Sequence, residues 1–96
     1  MRPSIALQRH RDSIREIALS HRVTNVRVFG SALRGEDTEE SDLDLLVEPT
    51  KETTYFDLGA IQYELSELLG LPVDVLTRAS LPERFRQRVL DEAQAL

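Results

Sequence analysis

The chain has 96 residues, no cysteine and a net charge of −5, which limits it to one domain (residues 1–96) with a small core and excludes a disulfide framework or a thiolate zinc site. No apolar run approaches the roughly 20 residues of a membrane span, and no apolar stretch follows Arg2 as it would in a secretory signal, so a cytoplasmic protein is expected. The charge is uneven: residues 1–27 carry six arginines against Asp12 and Glu16, whereas residues 28–80 set three cations against twelve carboxylates, an acidic middle that argues against direct nucleic-acid binding and suits a site that gathers divalent cations.

The spacing of Leu7, Ile14, Ile17 and Ala18 predicts a first helix over about Ile5–Ser20, with Ser4 as N-cap and its arginines on a solvated face. A first strand follows at about Asn25–Phe29. A short helical turn runs from Ser31 to near Gly35, and Glu36–Glu40 reads as a polar, acidic loop. The second strand is about Asp42–Glu48, stopped by Pro49. Leu58, Ile61, Leu65 and Leu68 place a second long helix over Tyr55–Leu69, capped by Thr54 and closed by Gly70. Pro72 introduces a third strand, Val73–Leu76. Ser80 and Glu83 then suggest a capping box before a last helix with Phe85, Val89 and Ala93 inward. The order α-β-α-β-α-β-α implies an α/β (α+β) fold with a sheet of at least three strands flanked by helices. About a dozen residues link the first two strands, which is tight for a crossover, so this pair is expected to be antiparallel and the sheet mixed.

Asp42 and Asp44 are two residues apart on a strand and therefore share a face. Asp74 interrupts an otherwise apolar strand, where aspartate is disfavoured. Three carboxylates on two strands can converge, and a divalent cation would relieve their repulsion. Ahead of them, Gly30–Ser31 follows an apolar run and can present backbone N–H groups to phosphate. Singly, each feature is commonplace: a turn, a strand edge, a solvent-facing aspartate. Jointly, Gly30, Ser31, Arg34, Gly35, Ser41, Asp42 and Asp44 at fixed spacing should arise by chance roughly once in a few million chains of this length, taking about 6% usage per residue type.

This pattern, Gly-Ser-x2-Arg-Gly-x5-Ser-Asp-x-Asp followed by Leu-Leu-Val, resembles the nucleotidyltransferase superfamily of DNA polymerase beta, and within it the minimal, MNT-type proteins. The resemblance is sharp over Val28–Glu48 and again over Pro72–Thr77. It implies the nucleotidyltransferase fold, with Gly30 and Ser31 on the triphosphate of ATP. It implies that Asp42 and Asp44 hold two magnesium ions and that Asp74 contacts only the ion that activates the attacking hydroxyl. Arg34 is the nearest cation to the phosphates, with a surface ion pair to the Glu36–Glu40 loop as its other reading. Ser41 is a candidate nucleotide contact that can equally cap the turn aiming Asp42.

The polymerase-like members of the superfamily carry extra domains for the acceptor, and this chain has no room for one. Stand-alone proteins that resemble it are antitoxins that adenylylate a tyrosine on a HEPN-domain ribonuclease toxin, so the resemblance implies a hetero-oligomeric partner of that kind. Two alternatives stay open: a non-catalytic, nucleotide-binding module that neutralises a partner by contact, and a transferase acting on a small molecule. His10 and His21 offer no nucleophilic constellation. Tyr55 and Tyr63 are read as helix-packing residues, with self-modification as the other possibility.

Overall fold

A computed structural model describes all of Met1–Leu96. In chain order it contains α1 (Pro3–Leu19), β1 (Val23–Phe29), α2 (Ser31–Arg34), β2 (Leu43–Pro49), α3 (Tyr55–Leu69), β3 (Val73–Leu76), a 3-10 turn (Arg78–Ser80), α4 (Glu83–Glu92) and β4 (Gln94–Ala95). The strands form one sheet in the order β3-β2-β1-β4. β1 runs antiparallel to β2 and β4, and β2 runs parallel to β3. The mixed sheet expected from the chain follows from its connections. The link from β1 to β2 is too short to cross over, so the chain reverses. α3 provides the crossover that a parallel β2–β3 pair needs.

β2 lies inside the sheet and is buried on both faces. Leu43, Leu45 and Val47 pack with Ile14 and Ala18 of α1 and with Ile61 and Leu65 of α3. On the other face Leu46 joins Phe29, Leu81 and Val89 under α4. Each such side chain stabilises the fold by about 1.5–3 kcal/mol relative to exposure. The helices thus form a full layer on one face. On the other face they cover only the end marked by Leu46, and the neighbouring end of that face carries Asp44 and Asp74.

Several boundaries differ from the sequence reading. Ser4 is not the N-cap of α1. The helix begins at Pro3 with Arg2 at the cap position, because proline at the first turn forfeits no helical hydrogen bond. Ser4 instead gives its backbone N–H to Asp37. Ser80 does not cap α4. It closes the 3-10 turn, its hydroxyl accepting from the Thr77 N–H at 2.9 Å, and α4 starts after Pro82 with no side-chain cap. In α3 the reading of Tyr55–Leu69 and its Thr54 cap holds, with Asp57 completing the capping box. The buried position at its end is Leu69, while Leu68 is 45% exposed. β4 escaped the sequence reading, since a two-residue strand has no periodicity to detect. No helix is long and apolar enough to cross a membrane.

Candidate active site

Asp44 is the second residue of β2 and stands in register with Asp74 on β3 and Phe29 on β1. The parallel pairing of β2 with β3 therefore sets two carboxylates side by side on one face of the sheet. Asp42 precedes β2 by one residue and is exposed. Exposure falls along this face from Asp42 to the half-buried Asp44 and then to Leu46, which is 1% exposed. The carboxylates thus occupy the mouth of a surface that closes into apolar packing.

The electrostatics of this cluster are unfavourable in isolation. Burial, then the charges of Asp74 and Asp42, push the Asp44 carboxyl up to about 6, and Arg34 is the one opposing charge. Burial, then the charge of Asp42 and a hydrogen bond shared with it, also raise Asp74. Such a cluster favours either a proton or a cation. The donor set is all carboxylate oxygen, which suits a hard ion such as magnesium. Nowhere in the chain do three or more His, Cys, Asp or Glu side chains form a ready-made metal cage. An open set of carboxylates fits magnesium, which keeps water and substrate phosphates among its ligands.

Gly30 connects β1 to α2 with φ +79° and ψ −158°, a conformation open essentially to glycine alone. A Cβ placed there would overlap Oδ2 of Asp44 and lie 3.3 Å from its Cγ. The glycine thus lets the backbone pass directly over the carboxylate. Ser31 is the first residue of α2 and is partly exposed. α2 ends at Gly35, which takes the left-handed conformation at φ +72°.

Arg34 is held by two carboxylates, Glu36 at 2.7 Å and Glu92 of α4 at 2.8 Å. Its hydrogen bonds to Glu36 and Glu92 raise its pKa further. The Glu36 contact was foreseeable as a loop ion pair; the Glu92 contact, 58 residues away, was not. Ser41 shapes the turn before Asp42: its hydroxyl accepts the Thr38 N–H at 2.9 Å, and its own N–H donates to the Thr38 carbonyl at 3.1 Å.

Asp37 belongs to the polar, acidic stretch Glu36–Glu40. It is nevertheless the one buried charged residue of the chain, 5% exposed. It accepts the Ser4 backbone N–H at 2.7 Å and an Arg2 guanidinium N–H at 3.2 Å. Burial alone would raise its pKa, but the hydrogen bonds from Ser4 and Arg2 outweigh it and hold the carboxyl below the usual range. No local signal separates Asp37 from its acidic neighbours.

Tyr55 and Tyr63 are not packing residues. Tyr55, Phe56 and Tyr63 are 91%, 89% and 66% exposed, because the buried stripe of α3 at Ile61, Leu65 and Leu69 lies on another side of the helix. The two concavities of the surface, about 480 and 370 Å³, adjoin Tyr55, Leu58 and Thr77 and include none of the three aspartates. Asp42 and Asp74 are exposed, and Asp44 is half-buried between them.

Comparison with known proteins identifies the family and the fold. Residues 7–96 match the family model of the nucleotidyltransferase domain. A Methanocaldococcus jannaschii protein to which protein adenylyltransferase activity is attributed is 44% identical over 77 residues, spanning 80% of this chain and 83% of the relative. The solved structure of a protein assigned as a minimal nucleotidyltransferase superposes with a TM-score of 0.85 at 39% identity, covering 97% of this chain and 95% of the other. A toxin–antitoxin crystal structure with AMP-PNP shares the fold, with a TM-score of 0.70 at 18% identity over 83% of this chain and 66% of that one. The chain belongs to the nucleotidyltransferase family.

Proposed function

We propose that this nucleotidyltransferase is a magnesium-dependent, single-domain cytoplasmic enzyme that moves AMP from ATP to a tyrosine hydroxyl of a HEPN-type ribonuclease toxin, silencing it as its antitoxin. The observation that carries the chemistry is the in-register pair Asp44–Asp74 beside the Gly30 turn, whose charge Arg34 offsets only in part. The choice of a protein acceptor draws support from the adenylyltransferase relative and from the toxin–antitoxin structure with a bound ATP analogue.

Gly30 gives the triphosphate close access to the backbone, and Ser31 offers its hydroxyl and N–H there. Asp42 and Asp44 would hold both ions, and Asp74 the ion on the acceptor side. Bound magnesium would lower the pKa of the acceptor hydroxyl and neutralise charge on the phosphates. The acceptor oxygen, its proton passing to solvent, attacks the α-phosphorus, a phosphodiester forms, the bond to the β-phosphate oxygen breaks, and pyrophosphate leaves. The chain's part is positioning and electrostatics. Arg34 bonds Glu36 through Nε and Glu92 through Nη1, and its Nη2 donors are left to meet the phosphates. The open surface around Asp74 leaves the acceptor side to be walled by the partner, which also excludes water.

The test uses the purified chain, magnesium, ATP and its toxin partner. Mass spectrometry should find one or more AMP additions on a toxin tyrosine, and Asp42→Asn should abolish them while the variant stays folded. An unmodified toxin inhibited equally by wild type and Asp42→Asn would replace this reading with neutralisation by contact.

A further inference from the structure

We infer that Asp37 is a positioning residue that fixes the place of Asp42 in the site, a role that rests on the nucleotidyl-transfer reading above. The three carboxylates are not held alike. Asp44 and Asp74 lie within β2 and β3 and are placed by the sheet register. Asp42 lies outside β2, in the connection from α2, and its side chain is exposed.

That connection is fixed at its ends. The Glu36 N–H donates to the Ser31 carbonyl at 3.0 Å, and the Leu43 N–H donates to the Pro72 carbonyl at 3.0 Å. Between them, the Thr38–Ser41 turn is internally bonded but exposed. Asp37 is the only buried side chain of the stretch, and its anchor is α1, 33 residues away in sequence. α1 is itself seated on the core through Ala6, Leu7, Ile14 and Ala18. Asp37 thus ties the loop to the helical layer behind the sheet, and Asp42 lies between that tie and the Leu43–Pro72 hydrogen bond. Loss of an outer partner bonded directly to a metal ligand typically weakens metal affinity or activity by about 10–100-fold, and Asp37, which acts on Asp42 through the backbone, belongs at the low end of that range.

The two contacts of Asp37 can be separated. Asp37→Asn keeps an oxygen for the Ser4 N–H and loses the charge that faces Arg2. Asp37→Ala loses both. The probe is Mn2+ with a non-hydrolysable ATP analogue, followed by electron paramagnetic resonance. Asp37→Ala should weaken Mn2+ binding about tenfold, at the low end of that range, and Asp37→Asn by a smaller factor. In turnover assays with toxin, kcat should fall and KM for ATP should rise along with the weaker metal binding, since Asp42 would hold the ion on the triphosphate as well as the one on the acceptor side. In an Asp42→Asn background, Asp37→Ala should weaken Mn2+ binding no further.

Folded Asp37→Asn and Asp37→Ala proteins that bind Mn2+ as wild type does, with only their melting temperature lowered, would reduce Asp37 to a helix cap and overturn the inference. So would an equal loss in the Asp42→Asn background. If Asp37→Ala does not fold, Asp37→Asn alone decides by the same measurements. Failure of the wild-type chain to bind Mn2+ would overturn the metal-site reading itself, and the inference with it.

Discussion

Replacing Asp44 by asparagine should destroy transfer and yet stabilise the metal-free protein at neutral pH. The Asp44 carboxyl is pushed up to about 6 from 3.8, first by burial and then by Asp74 and Asp42. The folded state therefore binds this proton more tightly than the unfolded chain does. Protonation favours folding, so stability falls as pH rises from about 4 to about 6, and above that the penalty is complete. A shift of about two units corresponds to roughly 3 kcal/mol. Asp44 is only half-buried, and solvent screening reduces this to about 1–2 kcal/mol. Asparagine keeps the shape and removes the charge, so it should recover that amount at pH 7.5 in EDTA. For a domain of this size the melting temperature should rise by about 10 °C.

Thermal unfolding followed by circular dichroism, from pH 4.5 to 7.5 with and without magnesium, tests this. The wild type should lose stability across that range in EDTA and regain it with magnesium. Asp44→Asn should lose less over the same range and respond less to magnesium, the remaining slope coming from Asp74, which burial and Asp42 still raise. Asp37 and Asp57, both held below the ordinary carboxylate range, work in the opposite sense, and their contribution is lost only as pH falls below about 4. An Asp44→Asn protein no more stable than wild type at pH 7.5 in EDTA would refute the claim that the cluster carries net repulsion.

Gly30→Ala should destabilise by about 1–3 kcal/mol through its positive φ. It should also lower transfer by about 100-fold, because the new Cβ displaces the Asp44 carboxylate; urea unfolding beside a turnover assay measures both. Asp74→Ala should keep most of the affinity for magnesium-ATP by calorimetry and lose the chemical step, and a loss of nucleotide binding equal to that of Asp42→Asn would contradict the division of roles between them. Thr54→Ala, which breaks the capping box of α3 far from the carboxylates, should cost about 1 kcal/mol in urea unfolding with transfer unchanged.

The chain by itself determined those features whose cause is local. Tyr55–Leu69 is legible because a stripe of 3.6-residue period is bracketed by Thr54 and Gly70, each of which acts within one helical turn. Val73–Leu76 is legible because Pro72 and the alternation around Asp74 suffice. The Gly30–Asp44 motif is legible because phosphate and metal chemistry fixes both residue types and spacing within 15 consecutive residues. The antiparallel sense of β1 and β2 followed from a connection too short to do otherwise.

Only the tertiary structure decided what depends on residues distant in sequence. It set Asp44 against Asp74, 30 positions apart, by the parallel register of β2 and β3. It gave Arg34 to Glu92 of α4 as well as to its neighbour Glu36. It chose one aspartate, Asp37, from a run of acidic residues and buried it against the start of α1. It completed the sheet with Gln94–Ala95 against β1, and it left Tyr55, Phe56 and Tyr63 facing outward. Periodicity and capping report energies made within a few residues. The free energy of a long-range hydrogen bond or ion pair depends on where folding brings two segments together, and neither segment carries that information alone.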